Sequence, residues 1–199
     1  MQTFHADSTV GLVPMSAKPM HQGHYSLIEF AAAENDHVIV FVSSSDRSRR
    51  GEQTISGADM LKIWTKHLEH IMPSNVIVEY GTSPVRKIYE LLGAENEKFK
   101  SGDHNIATYT IYAGTEDIDV NFPDSSMEKY ILDLWHAGLV DKRKFSSESV
   151  RRGAGGYSGT TMRKFIQDGN LEGFMNMLPS PLSDDERYEI WKILTKQQL

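Results

Sequence analysis

The 199-residue sequence contains no cysteine. Disulfides, thiolate metal sites and a cysteine nucleophile are therefore excluded. No apolar run approaches bilayer-crossing length, and the first twenty residues lack the basic-then-apolar layout of a secretory leader. A cytoplasmic protein without a membrane partner is the expectation. Positive charge is scarce: 21 Lys and Arg stand against 27 Asp and Glu, for a formal net charge of −6. That balance argues against a general nucleic-acid binder and still allows a locally basic site. Internal repeats and low-complexity stretches are missing too. So is the G-x-x-x-x-G-K-[ST] loop, which counts against a kinase of the P-loop type.

What is present is an alternation of short apolar runs with helical patterns. Val10–Val13, His37–Ser43 (HVIVFVS), Asn75–Tyr80 (NVIVEY), Ala107–Ala113 (ATYTIYA) and a short run near Val140–Phe145 read as strands. The continuous apolar character of the second suits a strand buried on both faces of a parallel sheet. Between them, Leu27, Ile28, Ala31 and Ala32 share one helical face. Met60, Leu61, Trp64, Leu68 and Ile71 do the same over a helix from Ser56 to Ile71. Ser83-Pro84 starts a helix through Leu92, 93–104 reads as a connection, and His67 and His70 read as a solvated face. Ser126–Leu139 forms another helix, with Tyr130 inward. The alternation predicts an α/β fold: a Rossmann-like three-layer α/β/α arrangement, with a mostly parallel sheet of about five strands and a C-terminal helical segment. Residues 1–178 would form the α/β domain, and 179–199 a helix packed on it.

The chain is organised around VGLVPMSAKPMHQGHYSLIEFAAA, Val10 to Ala33: strand, polar loop, helix. His21-Gln22-Gly23-His24 falls where loop becomes helix. A helix start carries unpaired N–H groups and the positive end of the helix dipole, and so attracts phosphate. Gly23 lets a bulky group approach the backbone. A metal pair is disfavoured, because no third ligand cluster follows. Pro14, near the end of a central strand, would cost a ladder bond. Far downstream, YSGTTMRKFI (Tyr157–Ile166) again sets Ser158, Gly159 and Thr160 before a helix, with Arg163 in its first turn: a second anion site.

HxGH after the first strand, paired with S-G/S-T-x-x-R before a late helix, resembles the HxGH nucleotidyltransferase superfamily of cytidylyltransferases and adenylyltransferases. The resemblance runs from about Thr9 to about Pro179 and looks closest to the cytidylyltransferase-like proteins of large tailed phages, whose location would be the host cytoplasm. Met15, Ser16 and Ala17 stand where relatives have Gly, then Arg or Thr, then Phe. The resemblance implies transfer of AMP or CMP from ATP or CTP to a small phosphorylated acceptor, with release of pyrophosphate. His21, His24 and Lys18 would be the catalytic residues, the imidazoles partly protonated. Ser16, Gly23, Ser158, Gly159, Thr160 and Arg163 would bind the nucleotide, Arg163 at the β–γ end of the triphosphate. Mg²⁺ would ride on the triphosphate, with no protein metal cage. Arg47, Arg50 and Asp117 are candidates for acceptor or pyrophosphate contacts, Asp117 in a loop formed by Gly114–Asp117. The Gly-rich connector 146–156, with Arg151 and Arg152, is a candidate lid. The alternative is a nucleotide-binding protein without turnover. A homo-oligomer is compatible with either reading.

Overall fold

The computed structural model describes residues 4–145 and 157–196. The connector 146–156, with Arg151 and Arg152, lies outside the described residues. Five strands pair in parallel throughout: β1 (Thr9–Met15), β2 (His37–Ser43), β3 (Val76–Gly81), β4 (Thr108–Gly114) and β5 (Val140–Phe145), in the order β3-β2-β1-β4-β5. The chain lays down β1, β2 and β3 outward in one direction, then returns to place β4 on the other side of β1. The carboxyl ends of β1 and β4 therefore flank the switch point where open α/β sheets bind ligands.

Period-two alternation splits the core into two layers. Val38, Val40 and Val42 face a cluster with Leu27, Ile28 and Ala31 of α1 (Gln22–Glu34) and with Met60 and Ile63 of α2 (Gly57–Ile63). The odd-numbered neighbours Ile39 and Phe41 point the other way. They meet Ile88, Leu91 and Leu92 of α3 (Pro84–Lys100), Ile118 of α4 (Thr115–Asn121), and Met127 and Leu134 of α5 (Asp124–His136). The first layer is completed by Met162 and Ile166 of α6 (Gly159–Gln167), Phe174 of α7 (Leu171–Met175), and Ile190, Trp191 and Leu194 of α8 (Asp184–Thr195). The result is a Rossmann-like α/β/α sandwich whose last helix shares the core of α1 and α2.

Some local expectations change. The helix from Ser56 starts as its cap predicts, with Ser56 Oγ accepting from Asp59 N at 3.0 Å. It does not run regularly to Ile71, because after Ile63 it widens into a π-type turn (Trp64–Leu68) and closes with a 3₁₀ turn (Glu69–Ile71). That geometry buries His67, read from sequence as solvated, along with Trp64 and Leu68. Helix α3 continues eight residues beyond Leu92, to Lys100. Gly93 is only a weak breaker, and the segment after it is rich in helix formers, with a Lys98–Glu95 pair at 2.5 Å. Helix α5 is broken at Ile131 (φ −143°, ψ 39°). The freed N–H groups of Asp133 and Leu134 both donate to Asn96 Oδ1 at 3.0 Å, and the break leaves Tyr130 exposed rather than inward.

Pro14 falls where the ladder between β1 and β4 stops. Thr108 N donates to the Ser8 carbonyl, so by strand alternation the even-numbered residues of β1 direct their backbone groups toward β4. The β1–β4 register ends at Leu12, whereas the β1–β2 register continues to Met15. The next pairing beyond Leu12 would need Pro14 to donate an N–H toward β4, so the missing donor ends that ladder and leaves a gap beside Pro14. That gap is where the site lies.

Candidate active site

Two connected clefts open at the carboxyl edge of the sheet, sharing Ser16, His21 and His24 as a common wall. The larger, about 680 Å³, is walled by Pro14, Met15, Ala113 and Gly114 of the parted strands, by Glu116 and Asp117, and by Phe145 and Tyr157. The smaller, about 200 Å³, is walled by Lys18, Arg47, Gly159, Thr160 and Arg163. One half mixes apolar and polar side chains with two carboxylates, and the other is cationic.

His21 is the N-cap of α1, in extended conformation (φ −133°, ψ 170°). Its Nδ1 accepts from His24 N at 3.3 Å, while His24 Nδ1 accepts from His21 N at 3.3 Å. This is a capping box made of two histidines in place of Ser and Glu. The rings stack with centroids 3.7 Å apart and planes 20° from parallel. Because each Nδ1 accepts, each neutral ring carries its proton on Nε2, and both Nε2–H groups are left as donors. Gly23 permits this close fit, since a Cβ there would meet the His21 ring at 3.1 Å. Burial lowers the His21 pKa to about 4. Burial, then the proximity of His21, holds His24 well below its ordinary value. The expectation of partly protonated imidazoles is corrected: at neutral pH the unliganded pair is neutral.

Ala17 turns the loop in a left-handed conformation (φ 47°) although it carries a Cβ and is buried, a strain found mostly at functional sites. Lys18 follows, 4% exposed, its Nζ donating to the Ser43 carbonyl at the end of β2 at 2.9 Å. Burial lowers its pKa to about 8, opposed by Asp46 and assisted by Arg47.

The second helix start reaches the same cleft. Ser158 caps α6, accepting from Thr161 N at 3.1 Å and pairing with Thr161 Oγ1 at 2.8 Å. Its hydroxyl is taken up by the cap, and it lines neither cleft. Gly159 and Thr160 do line the smaller one. Arg163, 4% exposed, spans the two phosphate-type loops: Nη1 donates to the Lys18 carbonyl at 2.8 Å and Nη2 to Thr160 Oγ1 at 2.9 Å. Gly159 makes room, since a Cβ there would fall 2.9 Å from Arg163 Nη1. Burial, then Arg47, lowers the Arg163 pKa, opposed by Glu52.

Glu52 was not singled out in the sequence. Its Oε2 accepts from Arg163 Nε at 2.9 Å and Arg47 Nη2 at 3.3 Å, holding together two like charges that would otherwise repel. Only tertiary proximity reveals it, 111 residues from Arg163 in sequence. The segment that carries it is a small hairpin, with Arg47 and Ile55 exchanging backbone bonds. Arg47 at the hairpin base faces the cleft. Arg50 lies at the exposed tip and lines neither cleft, because a strand pair directs only its inward residues at the site. Asp117 borders the larger cleft from the first turn of α4, which begins immediately after β4 where sequence suggested a loop.

Residues 10–85 match the family model described as the citrate lyase ligase C-terminal domain. They run from β1 through the histidine pair and the Arg47 hairpin to the start of α3. A bifunctional NMN adenylyltransferase/ADP ribose pyrophosphatase from Francisella tularensis, complexed with AMP and a manganese ion, is similar in structure. The TM-score is 0.54 at 12% identity, covering 96% of this chain and 52% of that one. The likeness is one of fold, the Rossmann-like α/β/α sandwich. The chain spans about half the length of that Francisella protein. Thermotoga maritima TmcAL bound with alpha-thio ATP is also similar, with a TM-score of 0.48 at 14% identity, over 92% of this chain and 55% of that one. None of the curated proteins matches the chain. Among the described residues, no helix is long and apolar enough to cross a membrane.

Proposed function

We propose that the chain is a nucleotidyltransferase that moves an AMP or CMP group from ATP or CTP to a small phosphorylated acceptor. The observation that carries this reading is the convergence of two phosphate-type helix starts, α1 and α6, on one cationic cleft, with two neutral imidazole donors on its wall. The acceptor phosphate oxygen attacks the α-phosphorus, the bond from that phosphorus to the α–β bridging oxygen breaks, and pyrophosphate leaves. His21 and His24 donate their Nε2–H groups to the α- and β-phosphate oxygens, and Lys18 adds charge at the α-phosphate. The backbone N–H groups at Gly159 and Thr160, with Arg47 and Arg163, hold the β- and γ-phosphates. Catalysis then rests on positioning and on stabilising charge at the transferred and leaving groups.

Ser158 contributes as the cap that shapes the α6 start, and Ser16 as a hydroxyl at the junction of the clefts. The nucleoside and the acceptor occupy the larger cleft, with Asp117 at its rim. Among the described residues, no three His, Asp or Glu side chains form a metal-sized group, and the smaller cleft is walled mainly by cations and hydroxyls. This donor set suits Mg²⁺ entering as part of the substrate, liganded by phosphate oxygens and neutralising their charge. Titration with ATP, CTP and their monophosphates, followed by a panel of phosphorylated acceptors scored for pyrophosphate release, tests the reading. Triphosphate binding no tighter than monophosphate binding would overturn it.

A further inference from the structure

The histidine pair is gripped from behind by the C-terminal part of the chain. Gln22, between His21 and Gly23, makes three contacts away from the clefts. Its N–H donates to the Met177 carbonyl at 2.8 Å, its Oε1 accepts from Ser180 N at 2.6 Å, and its Nε2 donates to Ser26 Oγ at 3.1 Å. Met177 and Ser180 belong to the turn between α7 and α8. Arg187, in α8, gathers that turn. Its Nε donates to the Leu182 carbonyl at 3.0 Å, Nη1 to Met175 at 2.8 Å, and Nη2 to Pro179 at 3.1 Å and Ser180 at 3.3 Å. A guanidinium presents its donors in a rigid fork, so four carbonyls held on one fork define the turn's shape. Helix α8 is itself anchored through Ile190, Trp191 and Leu194 in the core around α1. Neither Gln22 nor Arg187 lines a cleft.

We propose that Arg187 and Gln22 are positioning residues that hold the two histidines in their stacked, reciprocally capped arrangement. The two bonds that interlock the rings are long, 3.3 Å each, and helix starts fray unless tied down. The peptide between His21 and Gln22 lies between the two peptides whose N–H groups the rings receive, so its orientation sets how His21 N and His24 N face the rings. Met177 and Ser180 clamp Gln22 from two sides, and Arg187 keeps that clamp in shape. The relevance to turnover rests on the reading of the histidines as phosphate donors; the grip itself does not.

The test uses the full chain labelled with ¹⁵N, comparing long-range imidazole correlations of the wild type, Q22M and R187K without ligand at neutral pH. Methionine keeps the side-chain length and helix propensity but loses both hydrogen-bonding ends. Lysine keeps the charge but cannot hold four carbonyls. In the wild type both rings should show an unprotonated Nδ1 and a protonated Nε2. In both variants the other tautomer should rise about three- to tenfold relative to wild type, the change expected from losing one neutral hydrogen bond. Imidazole patterns identical to wild type would overturn the proposal, even if either variant melts earlier, since that would mark a merely structural role. If R187K fails to fold, Q22M decides alone. A wild type that binds no nucleoside triphosphate would defeat the functional reading and leave this comparison intact.

Discussion

Removing the Arg163 side chain probes the joint between the two phosphate-type loops. R163A deletes donors to the Lys18 carbonyl, Thr160 Oγ1 and Glu52. Charge-assisted bonds contribute about 1.5–3 kcal/mol each, and stranding one partner of a buried ion pair costs about 3–5 kcal/mol. Those figures do not add here. Glu52 is about a quarter exposed and keeps Arg47 as a partner, the three bonds share one group, and the desolvation cost of the guanidinium disappears with it. The net expectation is a loss of about 2–4 kcal/mol in folding stability, at the upper end of ordinary point mutations. Urea unfolding measures it as a lowered midpoint with unchanged slope. The folded R163A protein, well below its midpoint, should bind triphosphate about ten- to a hundredfold more weakly, the loss expected for one charge-assisted contact, and monophosphate nearly as before. A stability change below about 0.5 kcal/mol, the level of an ordinary surface substitution, would refute the reasoning on the joint. Equal losses for tri- and monophosphate would remove Arg163 from the triphosphate site.

H24A and H21A should each slow nucleotidyl transfer by about 10²–10³, the scale of one transition-state donor, with little change in triphosphate affinity; initial rates of pyrophosphate release measure this. Triphosphate affinity should fall as pH rises through about 8, where Lys18 loses its proton, and the fall should be absent in K18M; calorimetric titration from pH 7 to 9.5 checks it. The neutral histidines couple stability to acid. Their folded pKa values lie below the unfolded value, so the contribution is complete above about pH 6.5, the ordinary histidine value, and is lost as pH falls toward about 4 for His21. H21N, which keeps a good N-cap and cannot titrate, should flatten the decline of melting temperature over that range.

Much of this was legible in the sequence because it depends on local rules. Apolar runs of strand length and helical stripes predicted a mostly parallel sheet of about five strands, and Ser56, Ser83 and Ser158 cap the helices whose starts they mark. The spacing of His21, Gly23 and His24 determined a helix start with two rings on adjacent positions, and SGTTMR a second such start. Lys18, Arg47 and Arg163 were visible as charges near those loops.

Sequence position alone did not reveal which charges meet. Arg50 and Arg47 look equivalent in the chain, and only the hairpin pairing turns one inward and leaves the other at the tip. Glu52, Gln22 and Arg187 carried no local signal, because their partners are supplied by the packing of α6 and α8. The protonation of the histidines was likewise a tertiary outcome: burial disfavours the charged form, and reciprocal capping selects the Nε2–H tautomer. Pro14 shows the same division. Its missing N–H is a property of the residue, but only the strand order shows that the bond withheld is one toward β4, at the mouth of the site. Local propensity and period are written into neighbouring residues, whereas charge state, pairing and register depend on groups that only folding brings within reach.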